Sequence, residues 1–182
     1  MLKRLRPAYT PEELAQVYST PHDSSHWEDH NIRVAKSIEF INRNANEIVS
    51  AADLSCGDGR ILSGTNATKK YYGDFAPGYQ FTGPIDATIG KIDKVDLFIC
   101  SETLEHLDDP VATMSLVREK TRELFVSTPL ARFDDNNPEH YWAWDYEGIE
   151  EVLNKAGFEV VASEVLWLGK EYYYDFQLVY CV

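Results

Sequence analysis

EIVSAADLSCGDGRIL, residues 47–62, decides how the chain is to be read. Apart from Asp53, residues 48–54 are apolar or small and have the length of a buried strand. Ser55-Cys56-Gly57-Asp58-Gly59 then supplies small residues and two glycines, which permit a tight turn and a close approach by a ligand. A short helix follows and offers free N–H groups at its start. Strand, glycine loop and helix in that order form the opening unit of an α/β sheet.

The rest of the chain continues the alternation. A second strand is expected at about residues 70–75, and Phe81 and Ile85 are assigned to a third. VDLFIC, residues 95–100, is the clearest strand. DPVATMSLVREKT reads as a helix, with Asp109 as its cap and Pro110 at its first position. ELFVSTPL is a strand, WDYEGIEEVLNKAGF a helix closed by Gly157, and EVVASEVLWL and EYYYDFQLVYCV an antiparallel pair. Upstream, PEELAQVY reads as a short helix after Thr10. In NIRVAKSIEFINRNA, the apolar positions Ile32, Ala35, Ile38, Phe40 and Ile41 have helical spacing. The expected fold is α/β: a Rossmann-like, seven-stranded, mostly parallel sheet, with helices on both faces and a C-terminal antiparallel strand pair. One domain is expected over 1–182, with 1–47 as a helical cap segment and 48–182 as the core.

Composition narrows the function. The 182 residues suffice for one domain with a real core. No run approaches a membrane span, and the basic N-terminal residues lack the apolar segment of a signal peptide. The three cysteines, Cys56, Cys100 and Cys181, have no metal-ligand spacing, and the last two lie in apolar runs where a thiol packs as a small hydrophobe. A reducing, cytoplasmic setting is expected. The net charge of −13 and the scattered basic residues argue against broad duplex binding and make a nucleic-acid partner unfavoured, while leaving a nucleotide or a nucleic acid end open.

In such sheets ligands bind beyond the carboxyl ends of the strands, where the strand order reverses. Asp53 ends the first strand and Asp74 the second, and a carboxylate at the second position can accept from ribose hydroxyls. A dinucleotide fingerprint fails because Leu62 stands where the third glycine belongs. A phosphate-binding loop fails because no Gly-Lys-Ser/Thr follows. An adenosine site remains, with a first loop that holds something other than a pyrophosphate.

ADLSCGDGR, GDFAP, DLFICSETLEHLDDP, LFVSTPL and AGFEVV, taken in order, resemble the motifs of the class I S-adenosylmethionine-dependent methyltransferases, of the small-molecule, type 11-like branch. The resemblance spans roughly residues 48–162. It implies S-adenosyl-L-methionine as cofactor, a methyl transfer to an O or N atom of a small-molecule acceptor, and a monomer or homodimer. By position, Asp53, Ser55, Cys56, Gly57, Asp58 and Gly59 would lie against the methionyl part. Asp74 would hold the ribose, Phe75 would pack on the adenine, and Asp86 with the Ala87 backbone would meet the adenine edge. Ser101 and Glu102 would border the sulfonium. Two departures stand out: Ser55 replaces the first glycine, and only about ten residues separate Phe75 from Asp86.

Glu102, Glu105 and His106 are spaced i, i+3, i+4, which on an α-helix is one face. His106 or Glu105 could act as general base, or His106 could simply pack. ExxEH with a distant His140 also resembles a metal-dependent branch that includes RNA-end 2′-O-methyltransferases. That implies a divalent ion on Glu102, Glu105, His106 and His140 and a hydroxyl acceptor on a nucleotide or RNA end. The alternatives for His140, Tyr141, Trp142 and Trp144 are a lid over the acceptor or core packing, with His22, His26, Trp27 and His30 either completing that lid or forming a surface loop. A cofactor-binding sensor or partner subunit without transferase activity is the remaining reading.

Overall fold

The computed structural model describes residues 1–21 and 24–182. Among the described residues, nine strands and six α-helices follow one another in the order β1 Leu2–Arg4, α1 Pro11–Val17, α2 Glu28–Asn44, β2 Ser50–Asp53, α3 Arg60–Ser63, β3 Lys69–Asp74, β4 Phe81–Thr82, α4 Ile85–Thr88, β5 Val95–Ser101, α5 Pro110–Arg118, β6 Thr121–Pro129, β7 Trp142–Trp144, α6 Tyr146–Lys155, β8 Val160–Leu166 and β9 Phe176–Cys181. Short 3-10 turns occupy Ile89–Lys91 and Leu104–His106.

Seven strands make one sheet in the order β4-β3-β2-β5-β6-β9-β8. The pairs from β4 to β6 are parallel, and β9 runs antiparallel to both β6 and β8. The order reverses at β2, which pairs with β3 on one side and β5 on the other.

Strand composition follows from this layering. A strand covered on both faces needs apolar residues at every position rather than at alternate ones. In β5, Phe98 and Cys100 enter the core under α5 and α6, and Leu97 and Ile99 enter the core under α2 and α3. In β9, Val179 and Cys181 go to the first core, and Phe176, Leu178 and Tyr180 to the second. Cys100 and Cys181 therefore pack as hydrophobes, and all three cysteines are free and buried.

The helix ends carry their expected chemistry. Thr10 and Glu13 form a reciprocal capping box at α1. Asp109 accepts from the Ala112 N–H at 2.9 Å, with Pro110 as the first helical residue of α5. Gly157, at φ 90°, lies just beyond α6.

Three details depart from the sequence reading. Ile85 opens helix α4 instead of joining a strand, and the third strand is only Phe81–Thr82. The buried face of α2 is Arg33, Val34, Ser37, Phe40 and Ile41, while Ala35 is exposed. The helix is thus turned from the expected stripe, and it presents an arginine inward. Finally, β1 and β7 form an antiparallel pair, with Lys3 opposite Ala143. This pairing places Trp144, only 1% exposed, in the core beneath α6. Trp144 is core packing, not a lid.

Candidate active site

A cavity of about 600 Å³ opens at the β2/β5 reversal, beyond the carboxyl ends of the strands. Its size suits a cofactor-sized ligand. One wall is the loop after β2. Gly57 has φ 51°, and a Cβ there would project into open space with no atom within 4 Å. The backbone therefore faces the cavity with nothing in front of it. The Gly57 N–H donates to Asp74 Oδ2 at 2.9 Å, and Ala76 N–H donates to Asp74 Oδ1 at 3.0 Å. These bonds fix the Asp74 carboxylate at the cavity wall. Each carboxylate oxygen keeps a second lone pair for a ligand hydroxyl.

Asp53 lies just beneath. Its Oδ1 accepts from Ser55 N–H and Oγ, at 3.0 and 3.3 Å. Ser55 Oγ is 2.8 Å from Thr103 Oγ1, which ties the β2 loop to the end of β5. Burial pushes the Asp53 carboxyl up from 3.8 to about 7; Asp74 adds to the rise, and the Ser55 bonds oppose it.

The turn from Phe75 to Gly83 crosses the same wall without a helix, because β4 follows β3 almost at once. Close packing makes this possible: a Cβ on Gly73 would come within 2.8 Å of the Phe81 carbonyl. The Tyr79 hydroxyl donates to the Gly57 carbonyl across this turn.

Opposite stands the end of β5. Glu102 adopts φ 53°, unusual for a residue with a side chain, and its N–H is held by the Ser127 carbonyl at 2.8 Å. The Leu104–His106 turn is 3-10, so the expected single helical face does not form. Glu102 and His106 reach the cavity; Glu105, 1% exposed, points into the protein. Thr128 Oγ1 donates to Glu105 Oε2 at 3.2 Å, and Glu105 Oε1 has no hydrogen bond among the described residues. Burial drives the Glu105 carboxyl well above its ordinary range, and the Glu102 charge adds to this. Burial also raises Glu102, opposed by Arg33, His140 and the Ser127 hydroxyl.

Behind His106 stands a buried chain of polar groups. The His140 ring meets His106 edge-on at 4.7 Å between centroids. His140 Nδ1 is 2.7 Å from Asp135 Oδ2, and the Tyr174 hydroxyl donates to Asp135 at 3.0 Å.

The roof comes from the N-terminal segment. Leu14 and Tyr18 of the α1 region, with His30, Arg33 and Val34 of α2, line the cavity. The Tyr18 ring lies 5.3 Å from Phe75, and its hydroxyl donates to Glu139 Oε2 at 3.0 Å.

The cavity thus gathers Asp53, Ser55, Cys56, Gly57, Asp58, Asp74, Phe75, Asp86, Ser101, Glu102 and His106. Gly59, Ala87, Glu105 and His140 are not on its wall. Glu105, His106 and His140 can each bring a ligand atom within 4.8 Å of the others, and Glu102 is not in that group. Of the proposed aromatic lid, His30 lines the cavity. His26 and Trp27 pack on one another away from it, and His22 lies outside the described residues. Sequence reasoning missed Arg33, Tyr18, Tyr79, Asp135 and Tyr174. Only the position of Arg33, one residue from the apolar stripe, offered a signal.

No helix is long and apolar enough to cross a membrane among the described residues. No family model and no curated protein matches the sequence. Solved structures do match its fold. A Leishmania major SAM-dependent methyltransferase is 14% identical, with a TM-score of 0.73 over 94% of this chain and 82% of that one. The Burkholderia thailandensis 1,6-didemethyltoxoflavin-N1-methyltransferase, solved with 1,6-didemethyltoxoflavin and S-adenosylhomocysteine, is 14% identical, with a TM-score of 0.73 over 99% and 93%. The cyclase SpnF is 12% identical, with a TM-score of 0.70 over 98% and 97%. The chain has the class I, Rossmann-like fold of the S-adenosylmethionine-dependent methyltransferases.

Proposed function

We propose that this chain is an S-adenosylmethionine-dependent methyltransferase acting on an O or N atom of a small-molecule acceptor, with residues 1–182 working as one domain. The reading rests on one observation above others: the open Gly57 backbone and the braced Asp74 carboxylate share a cavity at the sheet reversal. Those residues fit an adenosine with an amino-acid arm. Asp74 accepts from the ribose hydroxyls, Phe75 packs on the adenine, and Asp86 meets its edge. Ser101 and Glu102 border the sulfonium.

Bound there, S-adenosylmethionine would supply a methyl group already activated by the sulfonium charge. The chain then has two tasks, alignment and the handling of one proton. His106 faces the cavity and takes the acceptor's proton. His140 and Asp135 hold the His106 ring from behind. Leu14 and Tyr18 keep water from the reacting atoms. The fold's use by a cyclase as well as by methyltransferases makes turnover the necessary test. Calorimetry with S-adenosylmethionine and S-adenosylhomocysteine tests binding, and S-adenosylhomocysteine release with a panel of alcohols and amines tests transfer. A folded protein that binds neither compound refutes the proposal.

A second reading is favoured by the Glu105–His106–His140 group, in which Asp135 would orient His140 as a ligand. Those donors fit a divalent ion that could acidify an acceptor hydroxyl. Metal analysis of the purified protein tests it: the reading requires a bound ion that His140→Ala removes. Cytoplasmic residence and a monomer or homodimer complete the proposal.

A further inference from the structure

Most carboxylates on the cavity wall have a partner or an assigned ligand group. Asp53, Asp74, Asp86 and Glu102 belong to the cofactor's side. Asp58 meets His30 Nε2 at 2.9 Å, Asp108 pairs with Arg4, and Asp109 caps α5. Glu139 is left. Among the described residues no cation pairs with it, and its carboxylate receives one hydrogen bond, from the Tyr18 hydroxyl to Oε2 at 3.0 Å. The walls carry one arginine and no lysine among the described residues, and that arginine, Arg33, donates to Ser101 at the cofactor end.

The carboxylate is held in place before any ligand arrives. Glu139 N–H donates to Asn137 Oδ1 at 3.0 Å, and Asn137 N–H donates to Asp135 Oδ1 at 2.8 Å. The Arg6 guanidinium donates to the Asp135 and Asn137 carbonyls and ties this segment to the N-terminal chain. Burial, followed by the Glu139 charge, raises the Tyr18 hydroxyl above its ordinary range, so the phenol keeps its proton and donates. The Tyr18 ring stands beside the carboxylate, 5.3 Å from Phe75. Oxygen and ring together suit an ammonium group: Oε1 is open to accept from its N–H, and the ring face attracts its charge.

Position indicates which ligand brings the cation. Glu139 lies in the segment between β6 and β7, and β6 is two strands beyond β2, whose loop takes the cofactor's arm. The next residue, His140, backs His106 with 4.7 Å between ring centroids. His106 is the group that takes the acceptor's proton, so Glu139 stands on the acceptor's side of the site.

We propose that Glu139, with the Tyr18 ring beside it, is the specificity-determining receptor for a cationic amino group carried by the acceptor. A protonated nitrogen has no lone pair, so this group is a handle, and the methyl goes to another O or N atom of the same molecule. The inference rests on the methyltransferase reading for the word acceptor, but the cation site itself can be tested separately. Benzylamine, benzyl alcohol and phenylacetate are titrated into the protein by calorimetry, with and without saturating S-adenosylhomocysteine. The wild-type protein is expected to prefer the amine over the alcohol by about tenfold or more, as one charge-assisted hydrogen bond provides, and to bind the acid most weakly. Glu139→Gln should abolish the preference and leave S-adenosylhomocysteine affinity unchanged, and Glu139→Asp should keep part of the preference. Equal or absent binding of benzylamine and benzyl alcohol by the wild-type protein overturns the proposal, and that result needs no variant to fold. Two further results also overturn it: amine binding that saturating S-adenosylhomocysteine abolishes, which would put the amine in the cofactor's own place, and a Glu139→Gln protein that loses S-adenosylhomocysteine affinity. Amine preference in a protein that binds neither S-adenosylmethionine nor S-adenosylhomocysteine would refute the methyltransferase reading and leave the amine receptor standing.

Discussion

The two walls of the cavity are assembled by different means. On one wall, the bond between Gly57 and Asp74 joins residues 17 positions apart, within two consecutive strand-and-loop units. On the other, Tyr18 and Glu139 meet across 121 positions, and Arg33 reaches Ser127 across 94. The first wall comes with the sheet, because parallel strands deliver their ends to one crevice. The second exists only after the N-terminal segment has docked over β5, β6 and β9. A wall of local origin suits a ligand common to many proteins of this fold. A wall of distant origin is free to differ from one such protein to the next.

The contrast can be broken at several points. Its largest signature is expected in stability. The folded-state value for Asp53, about 7, lies above its ordinary 3.8. The folded protein therefore holds a proton that the unfolded chain gives up in that window. This contribution is complete below pH 4 and is lost as pH rises toward 7, by on the order of 4 kcal/mol. Urea unfolding of the wild-type protein against Asp53→Asn, from pH 4 to 8, should show the difference; parallel profiles would remove Asp53 as a buried acid. Next, Asp74→Ala should lower S-adenosylhomocysteine affinity by about a hundredfold, because ribose bonds and the Gly57 brace go together. An unchanged affinity would move the cofactor off the local wall altogether.

Changes on the distant wall should leave cofactor binding alone. Asp135→Asn is expected to reduce kcat by roughly tenfold, within the range of general-base effects, and to displace the pH profile of kcat. The same variant with an unshifted profile would reduce Asp135 to a structural role. The smallest effect belongs to Tyr18→Phe, which removes one hydrogen bond to Glu139 at the roof. A two- to fivefold rise in KM for the acceptor is expected, within about 1 kcal/mol. A larger effect on the cofactor than on the acceptor would merge the two walls into one.

Legibility in the sequence follows the same division. VDLFIC announced β5 because both of its faces are covered, and the Gly57–Asp58–Gly59 loop announced the crevice. Trp142–Trp144 stayed open between a lid and core packing because its strand partner, Leu2–Arg4, lies at the other end of the chain. Apolar spacing located α2 but could not disclose that Arg33 faces inward, since periodicity weighs hydrophobicity and not the serines waiting across the gap. The ExxEH spacing suggested one face, and the left-handed backbone of Glu102 with a 3-10 turn after it divided the three side chains.

The placement of β9 between β6 and β8 sets a schedule for folding. Among the described residues strand β8 pairs in the sheet with β9 alone, so a ribosome delivers β8 before there is anywhere for it to dock. Until Phe176–Cys181 arrives, the edge of β6 stays open along Leu124–Pro129, an apolar strand with free hydrogen-bonding groups. The cavity's parallel strands can associate early, but the platform under Arg33 is finished last. A nascent chain stalled before β9 would therefore be a target for chaperones or a seed for aggregation.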